Sequence, residues 1–235
     1  MTIPALECRG LTLDYGNGTV IGPLDLRVES GTCVALVGSN GAGKTSLLHM
    51  ALGLRRPSKG GVTLFGEDSS QPDARRGIGY LQEAVEFHER SRALALLKIH
   101  CRLIGSDIKG DATEMAKVLE EFGLELDRKP LSIYSKGMKQ RLALAIAMLD
   151  CQRMLVLDEP NSGLDPVGIA LLRRKLEEAK TRGTTLILST HRLAEVLLLA
   201  DRIVVMHKGR VAGDAPAGDF HDYAALETFF LSCAR

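Results

Sequence analysis

The sequence predicts an α/β fold: a parallel sheet flanked by helices, with antiparallel β-structure ahead of it and a helical subdomain inserted into it. Three observations carry that expectation. Thr32–Val37 is a short apolar run that passes into a glycine-rich turn and then a helical stretch, the order expected of a buried parallel strand feeding a helix. From Met154 onwards strand-like and helix-like stretches alternate, the pattern of a parallel sheet whose crossovers are helices. Between these regions, from about Glu89 to Leu149, apolar residues recur at helical spacing instead.

Each element follows from local pattern. Ala5–Tyr15 and Leu24–Glu29 alternate apolar and polar residues on either side of Gly16-Asn17-Gly18, which reads as strand, turn, strand. The helix after Val37 is expected over Lys44–Leu54, stopped by Arg55-Arg56-Pro57. Short strands are expected at Val62–Phe65 and Ile78–Leu81. In the middle region Leu94, Leu97, Cys101 and Ile104 share a helical face, as do Met115, Val118, Leu119 and Phe122. Asp111 and Glu114 are spaced as a capping box for the second of these helices. A third helix is expected through Met138, Leu142, Ala145, Ile146 and Leu149. The last third gives strands at Met154–Leu157, Thr184–Ser189 and Arg202–Met206. It also gives helices at Pro166–Arg182 and His191–Ala200, with a short one at Tyr223–Leu231. The expected organisation is one domain over residues 1–235, with the helical subdomain at about 84–150.

Composition narrows the function classes. Of the 235 residues 45% are hydrophobic and 25% charged, which suits a soluble protein with a sizeable core. A net charge of +1 argues against a nucleic-acid partner, which calls for a basic bias. Cys8, Cys33, Cys101, Cys151 and Cys233 are scattered, odd in number and without zinc-site spacing, so they read as small buried hydrophobes in a reducing compartment. Residues 1–20 carry no basic segment followed by an apolar run, and no stretch approaches a membrane span. Contact with a membrane is therefore expected only through a partner.

Two segments carry phosphate chemistry. Gly38-Ser39-Asn40-Gly41-Ala42-Gly43-Lys44-Thr45 fits the P-loop pattern, with a strand before it and a helix after it. Glycines let the loop aim successive N–H groups at phosphate oxygens, and the helix N-terminus adds its partial positive charge. In that pattern Lys44 reaches the β- and γ-phosphates, Thr45 ligates Mg²⁺, and Ser46 lies beside them. The second segment is the strand Met154–Leu157 ending in Asp158-Glu159. Carboxylates at the C-terminal end of a parallel strand face the crevice where such sheets bind ligands. Asp158 is placed to hold Mg²⁺ through water, and Glu159 to orient or deprotonate an attacking water. Together these residues specify a nucleoside triphosphatase and leave several families open.

The segment Tyr134-Ser135-Lys136-Gly137-Met138-Lys139-Gln140-Arg141 resembles the signature motif of the ABC ATPase family, usually written LSGGQ. Ser135 and Gly137 match it, while Lys136 stands for the first glycine and Met138 for the glutamine. The resemblance covers essentially the whole chain and implies a P-loop NTPase with a RecA-like core. It also implies that Ser135 and Gly137 contact the γ-phosphate held by a second ATPase subunit, a homodimer being expected. Tyr15, 23 residues before Gly38, takes the place of the family's adenine-stacking aromatic. Asn161-Ser162-Gly163-Leu164-Asp165-Pro166 resembles the D-loop, with Ser162, Gly163, Leu164 and Asp165 at its turn. His191 matches the switch histidine that contacts the γ-phosphate. The Q-loop departs from the common form and reads Tyr80-Leu81-Gln82-Glu83. Glu83 is favoured there as the group near Mg²⁺, and Gln82 is the alternative.

Glu83 and the Ser-Lys-Gly-Met signature together resemble the ATPases of ABC-2-type exporters, including the nitrous-oxide-reductase maturation and bacitracin-resistance branches. The resemblance implies an ATP-hydrolysing subunit, using ATP and Mg²⁺, that powers a separate transmembrane permease from the cytoplasmic side of the inner membrane. In that branch the segment after the Q-loop, Ala84–Ser91, meets the permease. The alternative is a soluble ABC ATPase of translation or DNA repair.

Overall fold

The computed structural model describes residues 3–105, 111–125, 129–149 and 151–234. Its main sheet is built on strands apolar along their whole length. β3 (Cys33–Val37) and β7 (Met154–Asp158) are buried at every position, as central strands covered on both faces must be. With β6 (Ile78–Leu81), β8 (Thr185–Thr190), β9 (Arg202–His207) and β10 (Arg210–Pro216) they make a six-stranded sheet in the order β10-β9-β3-β8-β7-β6. All neighbours are parallel except the β10–β9 edge.

The antiparallel sheet has the order β2-β1-β4-β5. It comprises β1 (Leu6–Asp14), β2 (Val20–Val28), β4 (Lys59–Leu64) and β5 (Glu67–Asp68). Helix α1 (Lys44–Ala51) packs on β1 and β4 of this sheet and on β7 of the other. Leu47, Leu48 and Met50 are fully enclosed there. A helix buried on both sides cannot shift without disturbing two sheets, so the residues at its start are firmly placed.

The far face of the parallel sheet carries α4 (Lys136–Met148) and α5 (Pro166–Thr181). Helices α2 (Ala93–Ile104) and α3 (Ala112–Glu121) form a separate apolar cluster around Leu97, Met115, Leu119 and Leu142, the last contributed by α4. Helix α4 thus belongs to both clusters and joins the helical subdomain to the sheet. Asp111 caps α3 by accepting from the Thr113 N–H at 3.1 Å. Short α6 (Leu193–Val196) and C-terminal α7 (Tyr223–Cys233) close the β3–β9 side. Within the predicted 84–150 insertion, residues 106–110, residues 126–128 and the boundary residue 150 lie outside the described residues. The thiols of Cys8 and Cys33 are pushed up to about 12, chiefly by burial, so they stay protonated hydrophobes.

Several boundaries differ from the sequence reading. The helix expected to run to Leu54 stops at Ala51, because Gly53 turns the backbone at φ +65° and Leu54 and Arg55 donate back to the His49 carbonyl, a glycine-type helix end. The helix expected over His191–Ala200 is only Leu193–Val196. β2 starts four residues early, at Val20, and β10 was not anticipated.

Gly79 marks where β6 meets α4: a Cβ there would lie 1.9 Å from the Ala147 carbonyl oxygen. Gly79→Ala is expected to lower stability by about 1–3 kcal/mol or more, read as a lower urea midpoint. Gly218→Ala, which meets nothing within 4 Å, should change it by less than about 0.5 kcal/mol.

Candidate functional site

The loop from Gly38 to Gly43 leaves the C-terminal end of β3 and closes on the first turn of α1. Gly41 and Gly43 have φ of +80° and +101°, a region open to glycine at little cost. A Cβ on Gly38 would lie 2.5 Å from the Met206 carbonyl oxygen, so the loop also hugs the β9 backbone. Lys44 is nearly enclosed. Its ammonium donates to the Gly38 carbonyl at 2.7 Å and lies 3.4 Å from Glu159 Oε1, as a buried cation requires.

Asp158 has no exposed surface. Its Oδ2 accepts from the Thr45 hydroxyl at 2.6 Å, and its Oδ1 accepts from the Ser189 hydroxyl. Glu159 follows in the left-handed region, φ +47°, a conformation that costs a non-glycine residue energy and recurs at functional sites. Its backbone N–H is held by Ser189 at 3.1 Å. One carboxylate oxygen meets Lys44, and the other lies 2.9 Å from His191 Nδ1. Lys44, Glu159 and His191 therefore form one chain of contacts across the ends of β3, β7 and β8.

Lys44 and Glu159 border a cleft of about 440 Å³ lined also by Tyr15, Asn40–Gly43, Thr45, Ser46, Glu83 and Asp158, and His191 is joined to it through Glu159. Tyr15 donates to or accepts from the Ser46 hydroxyl at 2.7 Å, and the Arg55 guanidinium lies 4.2 Å from its ring centre, a cation–π distance. Glu83 borders the cleft, whereas Gln82 is not among its lining residues. Tyr80, two residues before Gln82, is tied to α1 through His49 at 3.0 Å. Burial, with the charge of Asp158, raises the Tyr80 hydroxyl well above its ordinary range. Thr45, Asp158 and Glu83 offer only hard oxygen donors beside the phosphate cradle. That set suits Mg²⁺, which is commonly held by one or two side chains with phosphate and water completing its shell.

Ser135 and Gly137 do not line this cleft. The Ser135 hydroxyl caps α4, accepting from the Met138 N–H at 3.1 Å. Gly137 packs against the D-loop, where an added Cβ would stand 3.1 Å from the Gly163 carbonyl oxygen. The Lys136 stem lies over Gly163 and its ammonium is 3.5 Å from the Ser162 hydroxyl. The D-loop ends where Asp165 caps α5 through the Gly168 N–H at 2.8 Å, with Leu164 half-buried beside it. Sequence reasoning missed Ser189, which binds both Asp158 and the Glu159 backbone. Its only signal was its place at the end of the strand before His191.

A family model described as "ABC transporter" matches residues 21–162. The bacitracin transport ATP-binding protein of Bacillus licheniformis is 37% identical over 215 residues, spanning 90% of this chain and 69% of that protein. The lantibiotic transport ATP-binding protein of Streptococcus pyogenes is 33% identical across 88% of both chains. A Nod factor export ATP-binding protein of Rhizobium etli is 33% identical across 94% of this chain and 71% of that one. Among solved structures, one described as the ATP-binding subunit of an ABC transporter superposes with a TM-score of 0.86 at 28% identity, covering 97% of this chain and 99% of the other. A dimeric ATP-binding cassette bound to ADP and phosphate shares the fold, with a TM-score of 0.81 at 20% identity over 90% of this chain and 98% of that one.

The P-loop pattern assigns Lys44 a charge-assisted phosphate contact, which would be worth about 1.5–3 kcal/mol. Lys44→Ala is therefore expected to raise the Kd for ATP roughly ten- to a hundred-fold in a fluorescent-nucleotide titration. An unchanged Kd would take Lys44 out of the phosphate site.

Proposed function

The chain belongs to the ABC transporter ATP-binding family; it binds and hydrolyses ATP to power transport, and we propose that it serves an exporter. In this reading two such subunits close on ATP against separate membrane-spanning subunits, with the chain on the cytoplasmic side of the inner membrane. The observation that carries the mechanism is the partition of the site. The P-loop, Asp158 and Glu159 converge on one cleft, to which His191 is joined through Glu159, while Ser135 and Gly137 sit off it on a different element. Relatives named for bacitracin transport, lantibiotic transport and Nod factor export support export. No described helix is long and apolar enough to cross a membrane; in this reading the permease is a separate polypeptide. A role in translation or DNA repair finds no support among those relatives.

The chain's own groups divide the work as follows. The loop N–H groups from Ser39 to Gly43 and the start of α1 receive the phosphates, and Tyr15 offers its ring to the adenine. Lys44 leaves Glu159 to bridge the β- and γ-phosphates, an exchange of one anionic partner for another. Thr45 and Asp158, with Glu83 lining the same cleft, would hold Mg²⁺, which neutralises phosphate charge when bound. Released from Lys44, Glu159 keeps its contact with His191 and turns its free oxygen to a water in line with the γ-phosphorus. That water's oxygen bonds to phosphorus as the bond to the ADP oxygen breaks. Its proton passes toward Glu159, leaving ADP and inorganic phosphate. His191, half-exposed at the end of β8, reports the γ-phosphate to the segment that follows it. Ser135 and Gly137 of the other copy supply the remaining donors.

Glu159→Gln keeps the cradle but loses the proton acceptor. ATP affinity is expected to stay within a few-fold of the parent while turnover falls by about 10²–10⁴; near-normal phosphate release would remove Glu159 from the mechanism. On that background Ser135→Arg should abolish the ATP-dependent dimer seen by sedimentation velocity while leaving the melting curve cooperative. A dimer that persists would count against the shared site.

A further inference from the structure

The structure assigns a positioning role to Glu195, which acts through Asn161 to hold the D-loop to the segment that carries His191; the assignment rests on the ATPase mechanism proposed above. Asn161 lies two residues after Glu159 and opens the D-loop, and Glu195 lies four residues after His191 on α6. The Asn161 amide donates to Glu195 Oε2, while Glu195 Oε1 lies 3.5 Å from Arg192 on its own turn. Both ends of the bridge are tied to reacting groups. The Ser162 N–H donates to the Glu159 carbonyl at 3.0 Å and the Leu164 N–H to the Asn161 carbonyl at 3.2 Å, so the D-loop turn moves with Glu159. On the other side, the Arg192 N–H donates to the Thr190 hydroxyl at 3.0 Å, so the α6 turn moves with the end of β8.

Packing alone does not fix this junction. Asn161 and Glu195 stand at the edge of an apolar cavity of about 290 Å³ between α5, β8 and α6, lined also by Leu172, Leu176, Leu188 and Leu199. Helix α6 is a single turn of four residues, packed through Leu193 and Val196 on the β3–β9 side, and across the cavity toward α5 it forgoes such contacts. A charge-assisted hydrogen bond across the rim therefore sets the spacing between the two strand exits. That spacing determines whether Glu159 Oε2 and His191 Nδ1 keep their 2.9 Å contact.

The role separates from general stability by a kinetic split. Glu195→Ala should lower kcat between about ten- and a hundred-fold, the cost of a displaced catalytic pair, with KM for ATP within two-fold because the cradle is untouched. Glu195→Gln keeps an acceptor for Asn161 and should return kcat to within about three-fold of the parent. Asn161→Ala should match Glu195→Ala, and the double variant should be no slower than either, as residues acting as one unit require. A Glu195→Ala protein with the parent's kcat overturns the assignment. So does loss of kcat and KM together with a lowered urea midpoint, or failure of Glu195→Gln to recover. Glu159→Gln measured alongside isolates the underlying mechanism: if it hydrolyses ATP normally, the reading of Glu159 fails whatever Glu195 does.

Discussion

A carboxylate with no exposed surface must find its hydrogen bonds inside the protein, and Asp158 finds them on two different elements. Thr45 at the start of α1 satisfies one oxygen and Ser189 near the end of β8 the other. Leaving either oxygen unpartnered would incur the full desolvation cost of a buried charge. The strand register works to the same end. Val37 of β3 stands beside Thr190 of β8, Asp158 of β7 beside Ser189, and Leu81 of β6 beside Leu157. The chain therefore leaves four adjacent parallel strands at one level: Gly38, His191, Glu159 and the Gln82–Glu83 pair emerge along a single edge. The site is a consequence of register, with Asp158 as the pin that holds it.

What the sequence made legible follows from how local the controlling physics is. The P-loop needs glycines at fixed positions between a strand and a helix, so Gly38–Thr45 could be read directly. The all-apolar strands β3 and β7 were equally plain, because burial on both faces leaves no polar residue to blur the pattern. β10 was missed for the opposite reason. It is an edge strand, half-exposed throughout, and carries Gly213 and Pro216, which read as breakers. The helix drawn from His191 to Ala200 was too long because Leu193, Val196, Leu197 and Leu199 mimic helical spacing. In the fold they serve a single helical turn and the turns after it. Links between distant residues were legible only where two motifs point to one ligand. Thr45 and Asp158, 113 residues apart, were both expected at Mg²⁺, whereas Asn161 to Glu195 spans 34 residues over which neither period nor composition carries information.

The charges of the site are balanced against one another within the chain. Lys44 and Glu159 are both nearly enclosed and face each other at 3.4 Å, which spares each the cost of standing alone in a poorly solvated place. Under the proposed mechanism a triphosphate competes with Glu159 for the same ammonium and brings more negative charge to the contest. Binding and arming of the carboxylate then become one event. The group that must act on water is restrained until the substrate's phosphates have taken its partner.

The same economy bears on the proposed division of the site between copies. Within one chain the Ser135 hydroxyl accepts from its own helix at Met138, which uses a lone pair but leaves its O–H free to donate. The N-terminal N–H groups of α4 point the same way, with the partial positive charge of that helix end. Gly137 has no side chain to block approach, and its backbone is braced by Gly163 of the D-loop. These donors do not line the cleft formed by the P-loop, and in the proposed mechanism the anion they meet is presented by another copy. Because the D-loop turn is hydrogen-bonded to Glu159 and lies under Lys136 and Gly137, in the proposed mechanism pressure on the signature face from a second copy would be transmitted to the carboxylate. Closure and chemistry would then be coupled through the backbone from Glu159 to Asp165, a path of seven residues.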